Sequence, residues 1–347
     1  MAGVLRAQIE KGAVPGGEFL PSERELARTH RVGSKTARRA LKLLEAEGLV
    51  KPEDRRGYRV LARANDPDRG CPLAFVVSSA SDESQSFVSD LLSALQGAAG
   101  RRKWSLLGVQ INGRSTGEVV EHLRAARVCG AVVDDLNLEL LEQVRRLGIP
   151  VVLADAWLPT SPCDAVVQDS FAGAYLAADW LVARGHRRIA FVGPSQRDAN
   201  MPSIERHAGA IGGLSHAGQT LDPALLVQVP MNDLDAQVAA ARKLLARRDR
   251  PTGVLALWQG IGQSVARAAR EMGLVIGKDL DLVGWSVRED AGTQELLDQA
   301  GPAAKVLWSA ADLAELCMVR LLQRRTDPHV PVSLTRVPVR LQVPDRK

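Results

Sequence analysis

The chain reads as an α/β protein. A small winged helix-turn-helix domain spans residues 1–61, a linker spans 62–72, and doubly wound parallel sheets span 73–347. Three observations predict this. Residues 21–41 spell two short helical stretches around a tight turn, the second densely basic. Residues 62–72, Ala-Arg-Ala-Asn-Asp-Pro-Asp-Arg-Gly-Cys-Pro, are polar and punctuated by proline and glycine. After them, short apolar runs alternate with amphipathic stretches, the pattern of parallel strands joined by helices.

The first domain is read in order. Residues Val4 to Ile9 supply a helix of barely two turns. Ser22 and Glu25 have capping-box spacing, so each side chain can satisfy an orphan backbone donor of the other. Leu26 and Ala27 give the helix that follows a small apolar face. Gly33 marks the turn and Ser34 is placed to cap the next helix. Ala37, Ala40, Leu41 and Leu44 then repeat at helical spacing and form a buried stripe. Lys35, Thr36, Arg38 and Arg39 fall off that stripe and face outward. Gly48 stops the helix. Leu49-Val50-Lys51 and Tyr58-Arg59-Val60-Leu61 read as two strands around Glu53-Asp54-Arg55-Arg56-Gly57, a basic wing.

A charged helix face is most often merely solvated. Here the distribution of charge argues for a partner. Residues 1–63 carry fourteen Lys/Arg against eight Asp/Glu, a net +6, whereas the whole chain is +5. The basic character therefore belongs to the small domain alone, as an electrostatic footprint on DNA phosphates requires.

Composition narrows the rest. At 347 residues the chain is too long for one simple core, so one or two lobes follow the first domain. No apolar run is long enough to span a membrane and no leader pattern precedes Ser22, which points to a cytoplasmic protein without a membrane partner. Cys71, Cys129, Cys163 and Cys317 are widely spaced and fit reduced, buried thiols. The six histidines make no ligand-spaced cluster, so no metal is expected. No Gly-x-Ser-x-Gly elbow, His/Cys pair or Walker-type phosphate loop occurs, so neither a cofactor nor an enzymatic activity is expected.

In the body the apolar runs Leu73–Val77, Ser105–Val109, Gly130–Val133, Pro150–Ala154, Arg188–Val192, Gly253–Leu257 and Leu280–Gly284 are expected as strands. Helices are expected near 86–100, 116–126, 138–147, 170–184, 204–217, 235–247, 260–272 and 311–324. In such sheets a ligand sits beyond the carboxyl ends of the strands. The turns after Val77, Ala154, Val192, Leu257 and Gly284 are the places to look.

Two resemblances sharpen the reading. Gly16-Gly17-Glu18-Phe19-Leu20-Pro21-Ser22-Glu23-Arg24-Glu25-Leu26-Ala27, with Val32, Thr36, Arg38, Ala40-Leu41, Leu44, Glu47-Gly48-Leu49-Val50 and Gly57, resembles the GntR family of bacterial winged helix-turn-helix regulators. The resemblance covers about the first sixty residues and implies DNA contacts at Arg24, Ser34, Lys35, Thr36, Arg38, Arg39, Arg56 and Gly57. Two departures stand out. The family's Ser-Arg after the valine is Gly33-Ser34 here, which removes an arginine suited to reading guanine, and the first helix is shorter than the family norm.

The second resemblance lies in Asp169–Ala177, Gly185–Gly193, Glu205-Arg206 with Gly209, Arg250-Pro251-Thr252 and Asp279–Gly284. Together these look like the effector domain of lac-repressor and galactose-repressor-type regulators, a periplasmic-binding-protein-like body of two lobes around a cleft. A GntR head on such a body is the layout of arabinose-repressor-type regulators. The resemblance places Arg206 where the family grips its ligand; a surface salt bridge is the alternative. It also marks substitutions: Trp258-Gln259 for an Asn-Asp, Trp285-Ser286 for a Phe-Asp, and Trp308 for a glutamine. Trp157 follows Asp155 at another strand end. Four tryptophans thus fall at expected strand ends, where indole faces stack on sugar rings or flat bases; core filling is the alternative for each. Ser79, Asp155, Asp169, Arg206, Gln259 and Ser286 supply polar groups.

The resulting expectation is a ligand-responsive repressor that binds a double-stranded DNA operator as a homodimer, since one winged helix reads only a half-site. Its effector is a sugar or glycoside. The alternatives are an aromatic or nucleoside-like effector, a protein partner, a vestigial cleft, an architectural DNA binder without an effector, or a pyridoxal-phosphate enzyme-like body. The last requires a Schiff-base lysine, and after residue 110 only Lys243, Lys278, Lys305 and Lys347 occur.

Overall fold

The computed structural model describes residues 1–10, 14, 18–46, 49–53, 56–60, 71–78 and 82–344. It divides into two compact units, Met1–Cys71 and Pro72–Lys347. Gly48, Asp54, Arg55, Ser79 and residues 62–70 of the expected linker lie outside the described residues.

In the first unit α1 (Ala2–Glu10), α2 (Glu23–Thr29) and α3 (Ser34–Ala46) pack on a two-stranded sheet, β1 (Val50–Glu53) and β2 (Gly57–Val60). Leu5, Ile9, Leu20, Leu26, Leu41, Leu44, Val50 and Val60 form its core. The capping box is present: Glu25 N–H donates to Ser22 Oγ at 3.3 Å and Ser22 N–H donates to Glu25 Oε2 at 2.8 Å. The turn differs from expectation. The left-handed residue is Arg31, with φ +50, not Gly33. The Gly33 carbonyl accepts the N–H groups of Thr36 and Ala37. Ser34 is therefore the first residue of α3 rather than its cap, and its side chain stays exposed.

The second unit holds two six-stranded sheets. One sheet runs in the order β13-β7-β6-β5-β3-β4 and is parallel throughout. Its strands are β3 (Leu73–Val77), β4 (Leu106–Gln110), β5 (Gly130–Asp134), β6 (Val151–Ala154), β7 (Asp164–Gln168) and β13 (Leu334–Val337). Its helices are α4 (Asp82–Arg101), α5 (Thr116–Ala125), α6 (Leu138–Arg145) and α12 (Ala310–Thr326). The other sheet runs β14-β12-β11-β10-β8-β9, parallel except for β14. It comprises β8 (Ile189–Pro194), β9 (Leu226–Val229), β10 (Gly253–Ala256), β11 (Asp281–Val287), β12 (Ala304–Trp308) and β14 (Arg340–Gln342). With it go α7 (Ser170–Ala183), α8 (Met201–His216), α9 (Leu234–Leu245), α10 (Gln259–Glu271) and α11 (Ala291–Leu297).

The chain crosses between the lobes three times, after β7, after β12 and after β13, because α7 packs in the second lobe, α12 returns to the first and β14 joins the second sheet. Asp169 and Ser309 occupy the first two crossings and cap α7 and α12.

Five strands went unanticipated: β7, β9, β12, β13 and β14. Two of them bury a charge that breaks an apolar pattern. Asp164 opens β7 at 1% exposure because Arg320 and Arg324 of α12 reach it at 2.7 and 2.9 Å. Lys305 sits inside β12 because Asp298 holds its ammonium at 2.7 Å. Cys163 and Cys317 are buried as expected, whereas Cys71 and Cys129 are only half-buried. Among the described residues no helix is long and apolar enough to cross a membrane, and no group of His, Cys, Asp and Glu could hold a metal.

Candidate functional site

The first unit presents its basic residues outward. Arg24, Ser34, Lys35, Thr36, Arg38, Arg39, Arg56 and Gly57 are all exposed. Five of them fall in the first six residues of α3, opposite the stripe of Ala37, Ala40, Leu41 and Leu44 that holds the helix down. The Arg38 guanidinium reaches Glu23 at 3.1 Å, which orients it from α2. Gly57 turns the wing with φ +105, a conformation that side chains rarely adopt. Arg56 and Arg59 stack over the Phe19 ring, 5.3 and 5.1 Å from its centroid. Leu20 N–H donates to Tyr58 O and Val60 N–H to Glu18 O, so the stretch around Phe19 flanks the wing as a third strand.

In the second unit a cavity of about 590 Å³ opens at the carboxyl ends of both sheets. Asp134, Asp155 and Gln168 reach it from the ends of β5, β6 and β7; Trp258, Trp285 and Trp308 reach it from β10, β11 and β12. Both sheets reverse their winding here, between β3 and β5 and between β8 and β10, which is where open parallel sheets leave a crevice.

Arg206 holds the centre. It lies on α8 at 3% exposure. Nε donates to Ser170 Oγ at 3.3 Å, Nη1 to Leu257 O at 2.8 Å and Nη2 to Gln168 Oε1 at 3.2 Å. Its two faces lie against Trp258 and Trp285, with ring centroids 4.2 and 4.0 Å away. The helix reaches this depth because Gly209, one turn on, has no side chain: a Cβ there would stand 2.1 Å from the Phe171 carbonyl oxygen. Gly173 likewise leaves room for the Trp285 indole, which a Cβ would meet at 2.7 Å. Burial lowers the guanidinium to about 10, against Asp155 and Glu205, which hold it up.

Gln168 joins the lobes. Its Oε1 accepts from Arg206 and, at 2.9 Å, from Trp285 Nε1. Its Nε2 and backbone N–H donate to Asp155 at 2.8 and 3.0 Å. Asp155 has φ +51, a left-handed conformation worth about 1–3 kcal/mol of strain in a non-glycine residue. Burial pushes its carboxyl up to about 6, although Arg206 and the Gln168 hydrogen bonds pull the other way. Burial, with Asp155 and Asp135 adding to it, pushes Asp134 up to about 8.

Residues 2–60 match the bacterial regulatory proteins of the gntR family, and residues 178–343 match the periplasmic binding protein-like domain. The head thus matches the GntR family, and the body matches a periplasmic binding protein-like domain. Of the curated relatives, the HTH-type transcriptional repressor PurR of Erwinia tasmaniensis is 34% identical over 153 residues, covering 44% of this chain and 43% of its own. The ribose operon repressor of Haemophilus influenzae is 27% identical over 203 residues, covering 58% and 57%. The matched stretches thus span about half the length of these relatives. Among solved structures, a LacI family transcriptional regulator from Enterococcus faecium with bound ribose overlays with a TM-score of 0.64 at 21% identity. That overlay covers 78% of this chain and 96% of the other, and establishes the two-lobe fold of the body.

Within the body, Asp155, Arg206, Trp258, Gln259, Trp285 and Trp308 line one cavity. The other expected residues do not. Trp157 packs against the core of the first lobe beneath β5 and β6, so three tryptophans rather than four share the rim. Asp169 accepts from Ala172 N–H as the cap of α7. Ser286 is fully buried and bonds Thr293. Ser79 lies outside the described residues, and its neighbour Ser78 lines the cavity. Arg206 is no surface salt bridge, since its charge is buried between two rings.

Sequence reasoning missed Asp134, Gln168 and Phe87 as lining residues. Asp134 was within reach, because it immediately follows the expected strand Gly130–Val133. Gln168 was hidden with β7, whose start is the buried charge of Asp164.

Proposed function

We propose that this protein is a ligand-controlled, DNA-binding transcription regulator, a repressor that works as a cytoplasmic homodimer and answers to a carbohydrate-like effector. One observation carries the reading. A GntR head whose candidate DNA-contacting residues are all exposed is joined in sequence to a body whose cavity lies at the hinge of two lobes. The relatives support it, being named as repressors, and the solved regulator with bound ribose supports a sugar-sized ligand in this fold.

In this reading the amino-terminal turn of α3 enters the major groove, with Ser34, Lys35, Thr36 and Arg38 at base edges and phosphates and Arg56-Gly57 of the wing alongside. Two heads are needed for a two-half-site operator. The effector acts by binding the open and closed arrangements of the lobes with different affinity; a ligand with equal affinity for both would shift nothing. Gln168 is suited to transmit closure, because it bonds Asp155 on one lobe and Arg206 and Trp285 on the other.

A second reading replaces the sugar with an aromatic or nucleoside-like ligand. The tilted Phe87–Trp308 pair, 5.4 Å between centroids, favours it because it widens the apolar wall of the cavity.

The test begins with operator selection from random DNA by the purified protein, followed by anisotropy titrations on the selected sequence with and without sugars, glycosides and nucleosides. Strong preference for the selected sequence, sensitive to one of these ligands, is the expected result. Equal affinity for random DNA would leave an architectural binder instead, and unaltered operator affinity with every ligand would leave a vestigial cleft.

A further inference from the structure

The cavity is unevenly charged. Among the described residues three ionisable side chains line it: Asp134 and Asp155 from one lobe and Arg206 from the other. Arg206 is already engaged. Three of its five N–H groups go to Ser170, Leu257 and Gln168, and two indole rings lie 4.2 and 4.0 Å from its guanidinium. Asp155 accepts one N–H on each oxygen, both from Gln168, and each oxygen has a lone pair to spare. Asp134 accepts no hydrogen bond from another described residue, and the charged neighbours that act on it, Asp155 and Asp135, are acids. Trp308 and Phe87, with ring centroids 5.4 Å apart, line the same cavity.

We propose that the ligand of this cleft carries a protonated amine on a ring-shaped body, with the amine held by Asp134 and Asp155 and the ring laid against the tryptophans. This inference deepens the regulator reading and rests on it.

An ammonium group beside these carboxyls donates charge-assisted hydrogen bonds to them and favours their ionised forms. An aromatic wall adds cation–π attraction to the same charge. A neutral hydroxyl in that position would donate to one oxygen and would bring no charge to favour the ionised forms. A ligand carboxylate or phosphate would meet two acids and find only the edges of a guanidinium whose best donors are taken. Burial raises the carboxyls of Asp134 and Asp155, and a cation beside them offsets that cost.

Two kinds of molecule share this chemistry, amino sugars and aromatic amines, and the experiment separates them. Isothermal titration of the full chain at neutral pH compares glucosamine, galactosamine and mannosamine with glucose, galactose and mannose. A second arm compares tryptamine with 3-methylindole and indole-3-acetate. An amine in one arm should bind roughly tenfold or more tightly than its neutral counterpart, and the acid should not bind. Asp134→Asn should weaken the amine by roughly tenfold while leaving a neutral counterpart within about twofold. Neutral or anionic compounds binding as well as the amines would overturn the proposal, and so would the absence of binding by every amine in both arms. If Asp134→Asn does not fold, the selectivity of the unaltered protein decides alone. Operator binding, measured separately, is untouched by these outcomes, so the regulator reading and the amine proposal fail independently.

Discussion

The guanidinium of Arg206 lies 4.0 Å from the centroid of the Trp285 indole, and both side chains donate to the same oxygen, Gln168 Oε1. A charge brought this deep is tolerated because every face and most of its N–H groups are met. Removing it takes the Arg206 donors from the Leu257 carbonyl and Ser170, leaves Gln168 Oε1 with Trp285 alone, and opens a void. Arg206→Ala should therefore lower stability by about 3–5 kcal/mol, the range for breaking a buried charged network. At roughly 2–4 °C per kcal/mol in a domain of this size, differential scanning calorimetry will register the loss. The same variant should keep operator affinity and lose the response to effector. An unchanged melting temperature would show that the network carries no load.

Gly209 and Gly212 make a paired test of how α8 is seated. A Cβ at Gly209 would meet backbone at 2.1 Å, whereas one at Gly212 would find side-chain carbons at 3.4 Å. Gly209→Ala should destabilise by about 1–3 kcal/mol through overpacking. Gly212→Ala should be neutral or stabilising by about 0.5–1 kcal/mol, as alanine favours a helix over glycine. Equal effects in chemical denaturation would refute the close approach of α7 and α8.

Asp134 gives stability an unusual pH dependence. Its carboxyl is raised in the folded state to about 8 from an ordinary 3.8, so the folded protein disfavours the ionised form. That penalty is present in full above pH 8, shrinks as pH falls through 8, and vanishes once both folded and unfolded states are protonated. Asp134→Asn should thus raise the melting temperature by several degrees in mildly alkaline buffer and by progressively less as the buffer is made acidic. A constant difference across the range would mean that ionisation of Asp134 is not the cause.

In the head, Arg38 is exposed and oriented by Glu23, while Leu41 and Leu44 on the opposite face are buried. Arg38→Ala should leave the fold intact and weaken binding to the selected operator by about 1–3 kcal/mol if the arginine reads a base. A loss shared equally by random DNA would reassign it to a phosphate. No loss at either would remove α3 from the interface.

The head was legible in the sequence nearly residue by residue. The reason is that its signals are local: the Ser22–Glu25 capping box, the stripe from Ala37 to Leu44 and the turn at Gly57 each depend on neighbours a few residues away. Even there the turn marked by Gly33 came two residues earlier, at Arg31 in a left-handed conformation. Most strands of the body were legible for a similar reason, as buried parallel strands are unbroken apolar runs.

Tertiary structure decided the rest. Only packing against α12 lets Asp164 begin a buried strand, and only that strand brings Gln168 to the hinge. Only the folded chain separates Trp157, which fills the first lobe, from Trp258, Trp285 and Trp308, which share a cavity. Each had the same standing at a strand end in the sequence. Local spacing determines which elements form, because caps, stripes and turns are short-range. Which side chains meet is set by contacts that reach from 13 to 160 positions along the chain, and on those the composition of each segment is silent.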